Sequence, residues 1–371
     1  MDYSKYGKIV SDEGDEGAIV MGNLFCADGY HLRFPPEAGD LEAKKNFFAI
    51  SHMHTDHASK LKKMLYNGSV YMTDKTQKLL EAINDDNYSE KTTQSNIGKN
   101  QIHAIRYDKK EPVKGTDGIE EWISFHHSNH TLGASQIEIN THDEKTIVYS
   151  GDVTGKDKPP DNIDLLIVDA THGHPRYDRY NDEKSDERKL LNAIEERVHK
   201  ETPQHIVIHS HEGKMQEAMA LISNHKPLND FPLVANAKDR RMADVYREEA
   251  EFSKLRKNII DTEEVEFMLD DHSRMPFIEF TAHCGKKSYE MKEKAFSIYL
   301  TDKCDQQTNL NEDKNTLMLV THSHAGNTEL LDYVKDACPG KVIVDASRSK
   351  QGPDLTDMLR KNKFNVEYQP V

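Results

Sequence analysis

Phe47-Phe48-Ala49-Ile50-Ser51-His52-Met53-His54-Thr55-Asp56-His57 is the segment whose reading decides the fold. Its first four residues form an apolar run long enough for a buried strand, and the residues that follow offer three imidazoles and a carboxylate. With the strand stopping at Ser51, His52 and His54 alternate onto one side of extended backbone. Asp56 and His57 then fall where a helix over 58–66 begins. One turn thus delivers two ligand sets. His52 and His54 suit one metal ion, and Asp56 and His57 a second beside it, in the nitrogen and oxygen mix that zinc accepts. A chain with 20 His produces close pairs by chance, so a lone His-x-His carries little weight. His-x-His-x-Asp-His directly behind a buried-strand pattern carries much more.

Outward from this motif the chain reads as strands with chemistry at their ends. The preceding GAIVMGNLFCADGYHLRF (17–34) gives two strands around a Gly turn and contains Asp28. Behind the motif come a strand over 69–73 and a helix over 74–83 that Asp74 is placed to cap. A polar stretch (84–100) follows, then strand patterns at 102–107, 120–127, 135–142, 146–152 and 164–172. His130 sits in a turn before one of these strands, with Gly133 and Ala134 allowing close backbone approach. Asp152 and Asp169 end two others. Strand-rich sequence first and strand-helix alternation later fits a layered α/β domain, and no Gly-x-Gly-x-x-Gly marks a dinucleotide fold.

Near Pro175 the character changes. Residues 176–200 are charged and helical, QHIVIHSH (204–211) is a strand, 212–225 a helix, FPLVANA (231–237) a strand, and 239–257 a long charged helix. That alternation predicts a small inserted α/β unit over 175–275, between a first segment (1–174) and a return segment (276–371). The return carries two further strand-plus-His patterns, MPFIEFTAHCG with His283 and TLMLVTHSHAG with His322 and His324.

Composition bounds the possibilities. A chain of 371 residues with 36% hydrophobic and 30% charged residues describes a well-solvated globule with a large domain and a second, inserted one. No apolar stretch reaches the roughly 20 residues that span a bilayer, and the N-terminus has neither the basic start nor the apolar core of a signal peptide. A cytoplasmic protein with no membrane partner is expected. Cys26, Cys284, Cys304 and Cys338 are widely spaced and form no Cys-x-x-Cys pair, which predicts reduced thiols. The net charge of −15 argues against coating nucleic acid by bulk electrostatics, but it leaves room for a nuclease whose metals supply positive charge locally.

The motif His52-x-His54-x-Asp56-His57, followed in order by His130 and Asp152, resembles the metallo-β-lactamase fold. The resemblance implies an αββα sandwich with a two-metal centre, of zinc or alternatively manganese. His52, His54 and His130 would bind the first metal, Asp56 and His57 the second, and Asp152 both. The insert, the acid Asp169, the Thr-Ala-His at 281–283 and the later Val-x-His narrow the resemblance to the β-CASP nucleases. LFCADGYHLRF and NHTLGASQIEI look most like the ligase-associated DNA exonucleases and their archaeal relatives. On that pattern Asp169 orients His283 as general acid, His322 is the last ligand of the second metal, and Asp28 supports the His cluster. Two positions depart from it: Gly285 stands where an Asp is usual, and His322-Ser323-His324 where His-Gly is usual.

Two function classes follow. The resemblance implies a nuclease hydrolysing phosphodiester bonds of DNA or RNA, acting from a strand end, with two zinc ions turning the attacking water into hydroxide and Asp56 orienting it. The alternative is a metallohydrolase of a small thioester, lactone or cyclic phosphodiester, which needs neither the insert nor the later His residues.

Overall fold

The computed structural model describes residues 3, 5–11, 17–32, 46–83, 101–178, 183–200, 204–265, 276–282, 295–302, 309–311, 315–321 and 323–369. It divides into two compact units, one formed by Met1–Asp178 with Ser323–Val371 and the other by Arg179–His322.

The first unit opens with a six-stranded sheet in sequential order: β1 (Gly7–Val10), β2 (Ala18–Met21), β3 (Phe25–Ala27), β4 (Asn46–Ala49), β5 (Gly68–Thr73) and β6 (Ile102–Ile105). β4 is the strand expected from the Phe47-Phe48 run. It is parallel to both neighbours, with Phe47 opposite Phe25 and Ser69, so both its faces are covered. Phe47 joins Phe25, Tyr71 and Phe125 in the core, while Phe48 on the alternate face stacks on Tyr30 at 5.7 Å. The helix expected over 58–66 is divided: α1 (Thr55–Ala58) is a single turn, and α2 (Leu61–Asn67) buries Leu61, Met64 and Leu65. α3 (Asp74–Ile83) lies where the sequence places it, burying Thr76, Leu79 and Leu80.

A second sheet begins with β7 (Glu111–Lys114), β8 (Glu120–His127), β9 (Ser135–Asn140), β10 (Thr146–Tyr149) and β11 (Leu165–Asp169). Its inner face shares one core with the first sheet, through Phe25, Phe47, Ile123, Phe125, Ile137, Tyr149 and Ile167. That shared layer is the inside of a two-sheet sandwich.

The second unit contains α4 (Glu183–Val198), β12 (Ile206–His209), α5 (Lys214–Asn224), β13 (Leu233–Ala235), α6 (Ala237–Arg247), β14 (Ile259–Asp261), β15 (Ile278–Thr281), β16 (Phe296–Thr301), β17 (Asn309–Asn311) and β18 (Thr316–Val320). Its strands form one sheet in the order β14-β13-β15-β12-β16-β18-β17, parallel except at β17. β15, β16 and β18 sit in this sheet, so the unit runs on to His322 where the sequence reading placed the return at residue 276. The long helix expected over 239–257 stops at Arg247, because the Arg247 guanidinium donates to the carbonyls of Leu255 (3.1 Å) and Arg256 (2.8 Å) and folds the chain back toward β14.

The chain then completes the second sheet with α7 (Asn327–Ala337), β19 (Lys341–Asp345), α8 (Gly352–Lys361) and β20 (Val366–Gln369). β19 is parallel to β11, with Asp169 opposite Asp345. α7 and α8 cover the outer face of this sheet through Leu330, Val334, Leu355 and Leu359 packed on Val148, Leu166 and Val168. The first unit is therefore an αββα sandwich, as expected. No helix among the described residues is long and apolar enough to cross a membrane.

Candidate metal centre

The centre is assembled at the ends of β4, β8, β10 and β11. Ile50 N donates to Tyr71 O, which keeps the chain in the sheet one residue past β4. Asp28, in the left-handed region at φ 47°, then takes over the turn: its carboxylate accepts from Ser51 N at 2.7 Å, from Ser51 Oγ and from His57 Nδ1 at 2.7 Å. The His130 turn is fixed by Asp157, whose carboxylate accepts from Ser128 Oγ (3.0 Å), Asn129 N (2.7 Å) and Thr154 N (2.7 Å), tying it to the Asp152 loop. Gly133, at φ 85°, passes so near α3 that a Cβ would come within 2.6 Å of Thr76 N, the close approach its sequence position anticipates.

Four donors converge on one point. His54 Nδ1 is 3.0 Å from His52 Nε2 and 3.1 Å from His130 Nε2, and Asp152 Oδ2 is 3.5 and 3.3 Å from those same Nε2 atoms. A tetrahedron with metal–nitrogen bonds of about 2.0–2.1 Å has edges of about 3.3–3.4 Å, so the spacing suits a zinc-sized cation. Beside it, His57 Nε2 lies 3.4 Å from Asp56 Oδ2 and 3.4 Å from Asp152 Oδ1. That Nε2 is buried and has no hydrogen-bond partner among the described residues, a costly state for an imidazole unless a cation completes it. Asp152 thus turns Oδ2 to the first position and Oδ1 to the second. Tautomers agree with this use: His57 Nδ1 is engaged by Asp28, and His130 Nδ1 donates to Ser323 O at 2.5 Å, leaving each Nε2 directed inward.

Electrostatics follow from burial and from the carboxylates. Burial holds His52 and His130 well below the ordinary histidine range, so they are neutral and ready to ligate. Burial opposes charge at His57 too, but Asp152, Asp28 and Asp56 outweigh it and raise its pKa well above that range in the metal-free site. Asp152 and Asp56 are lowered, against burial, chiefly by His57. Asp169 is raised by burial and by the nearby Asp152.

The structure brings together His52, His54, Asp56, His57, His130 and Asp152, and it places Asp28 behind them. Asp169 stands at the rim, its Oδ1 accepting from Thr171 N and Oγ1. His283 and His322 lie outside the described residues. His324 is described: its Nδ1 is 3.8 Å from Asp152 Oδ2 and 3.9 Å from Asp169 Oδ2, on the first-position side. Sequence reasoning quoted His324 without giving it a role, because a His-x-His offers no spacing signal for which member points inward. Arg348 was not singled out at all. Its buried guanidinium pairs with Asp345 at 3.2 Å and donates to the carbonyls of Asp56 (3.1 Å), Gly17 (3.1 Å) and Asp28. Nothing in SRSK marks that Arg as internal.

No family model matches the chain. It is 26% identical over 201 residues to an RNase J-like protein of Methanocaldococcus jannaschii, a match spanning 50% of this chain and 45% of that one. It is 24% identical over 230 residues to cleavage and polyadenylation specificity factor subunit 3 of Dictyostelium discoideum, over 53% of this chain and 28% of that one. A protein in the lig 3′ region of Acidianus ambivalens is 29% identical over 133 residues, covering 34% of this chain and 87% of that one. The chain thus spans less than half the length of the first two relatives. Among solved structures, a protein of unknown function from Enterococcus faecalis superposes with a TM-score of 0.59 over 99% of this chain and 95% of its own, at 13% identity. An αββα sandwich with this His and Asp cluster at its strand ends defines a metallo-β-lactamase-fold protein, with a donor set that suits divalent metal. Within that fold, the chain is similar to an RNase J-like protein and to a cleavage and polyadenylation specificity factor subunit, and it carries a second unit between the two parts of the sandwich.

Proposed function

We propose that the chain is a metal-dependent nuclease that hydrolyses phosphodiester bonds of DNA or RNA from a strand end, using two zinc ions. The observation that carries the reading is the two-faced Asp152, whose oxygens serve two adjacent donor sets at once. His52, His54, His130 and Asp152 would hold one ion, and Asp56, His57 and Asp152 the other. His324 stands on the Oδ2 side of Asp152, so His322 stays the proposed last donor of the second position. Bound there, the ions supply a Lewis acid for a phosphoryl oxygen and a water whose pKa is brought near neutrality.

The protein's own groups do the rest. Asp56, its side chain half-exposed, accepts a hydrogen bond from the attacking water and orients it. The leaving oxygen needs a proton. His283, the sequence candidate for that role, lies outside the described residues, whereas His324 Nδ1 stands 3.9 Å from Asp169 Oδ2. Its position beside Asp152 and Asp169 makes it the described residue proposed to give that proton.

The test incubates zinc-loaded protein with end-labelled single- and double-stranded DNA and RNA. A ladder shortening from one end supports the proposal. Mid-chain cuts would correct its mode of action. No cleavage of any polymer, with turnover of thioesters or lactones, would replace it by a small-substrate hydrolase.

A further inference from the structure

We propose that Arg176 is a phosphate-binding residue that holds a phosphate of the substrate strand other than the scissile one, an inference that rests on the nuclease reading. A ring column leads outward from the metal centre. His324, 3.8 Å from Asp152, lies 4.9 Å from the His172 ring, and the buried His172 stacks on Tyr177 at 4.3 Å with an interplanar angle of 4°. The Arg176 guanidinium lies over the far part of this stack, 4.8 Å from the Tyr177 ring centre, and its Nη2 donates to Tyr177 Oη at 2.9 Å.

The platform beneath it is pinned at both ends. Pro175–Tyr177 is a 3₁₀ turn in which His174 Nδ1 accepts from Arg176 N at 3.0 Å. One residue on, the Asp178 carboxylate accepts from Thr328 N (2.7 Å) and Thr328 Oγ1 (2.9 Å), anchoring the turn to the start of α7. Arg176 is exposed, and no carboxylate pairs with it among the described residues. In a chain of net charge −15, where most of the described arginines pair with an acid or cap a carbonyl, an exposed guanidinium held 4.8 Å from a tyrosine ring centre and bonded to its hydroxyl is set apart. Held by that bond it loses little freedom on binding, and its remaining N–H groups form the fork that matches a phosphate's oxygens. A small substrate with one phosphoryl group has nothing to offer it. A polynucleotide carries a second phosphate along the same strand.

The experiment compares wild-type chain, Arg176→Ala and Arg176→Lys, all zinc-loaded, on a short single-stranded oligonucleotide and on bis(4-nitrophenyl) phosphate. Arg176→Ala should raise KM for the oligonucleotide about tenfold and lower the slope of log KM against log salt by about one, with less effect on the single-phosphate ester. Arg176→Lys should recover the salt slope and only part of the KM. Metal content and melting midpoint report any structural loss separately. An oligonucleotide that wild type cleaves, with KM and salt slope unmoved by Arg176→Ala, overturns the assignment. An equal loss on both substrates overturns it too, since it would place Arg176 in the shared centre. Wild type that cleaves no oligonucleotide sinks the nuclease reading first and this one with it.

Discussion

His57 donates through Nδ1 to Asp28 Oδ2 at 2.7 Å, a bond buried behind the metal centre that decides which nitrogen of His57 faces the second cation. Asp28→Asn keeps the shape but removes the charge that fixes this tautomer. Affinity at the second position should fall about 10- to 100-fold while the first, built on His52, His54 and His130, changes little. Zinc titration by calorimetry reads this directly. Because carboxylates raise the His57 pKa in the metal-free site, cation binding there must displace a proton, so its affinity should also weaken as pH falls. Two sites weakened equally by Asp28→Asn would contradict the division of labour.

The two members of His322-Ser323-His324 should separate by metal content. His324→Ala should retain two zinc ions yet lose about 10²–10⁴ in cleavage rate, with a smaller loss on a nitrophenyl diester whose leaving group needs no proton. His322→Ala should lose one equivalent of zinc. Elemental analysis giving the reverse pattern would exchange the roles, and full activity in both variants would leave His283 as the acid.

Legibility of the site followed how local its signals are. His52, His54, Asp56 and His57 fall within six consecutive positions just after an apolar run, so strand period and donor chemistry located them. Asp152 ends a strand pattern and was recoverable by order along the chain, whereas Asp28 drew its role only from the resemblance. Arg348 was not, because it is internal only by virtue of Gly17, Asp28, Asp56 and Asp345, partners scattered over the chain. The extent of the second unit was misjudged for a similar reason: strand pairing of residues 278–281 with 206–209 is a long-range fact with no local mark.

Arg348 should be a stability residue as well as a brace for the Asp56 turn. Its guanidinium, 4% exposed, faces Asp345, 2% exposed, so Arg348→Met leaves a buried carboxylate unpaired and three carbonyls without their donor. A loss of about 3–5 kcal/mol is expected from denaturant unfolding. Adding Asp345→Asn should recover part of it by removing the stranded charge. A loss under about 1 kcal/mol would mean that water replaces the guanidinium, which its burial argues against.

His126 offers a pH dependence independent of the metals. Its Nδ1 is 2.8 Å from Asp108 and its Nε2 3.0 Å from Glu138, tying β8 to β9 and to the Asp108 turn. Burial lowers its pKa, but the Glu138 and Asp108 carboxylates outweigh this, and the net shift is upward. A raised pKa means the folded chain holds the proton more tightly than the unfolded one. The stabilisation is therefore complete below the ordinary histidine value of about 6.5 and lost as pH rises through the folded value. Glu138 is lowered against burial by the same pair, so its share is present above about 4.3 and lost as pH falls through its own folded value. The pair should contribute most between those two limits. His126→Gln should lower the melting midpoint at pH 5.5 and converge on wild type by pH 9, whereas Glu138→Gln should show its deficit near pH 6 and lose it in acid. A His126→Gln deficit that grows toward pH 9 would show that His126 stabilises the sheet as a neutral, packed ring and that its carboxylate contacts contribute nothing.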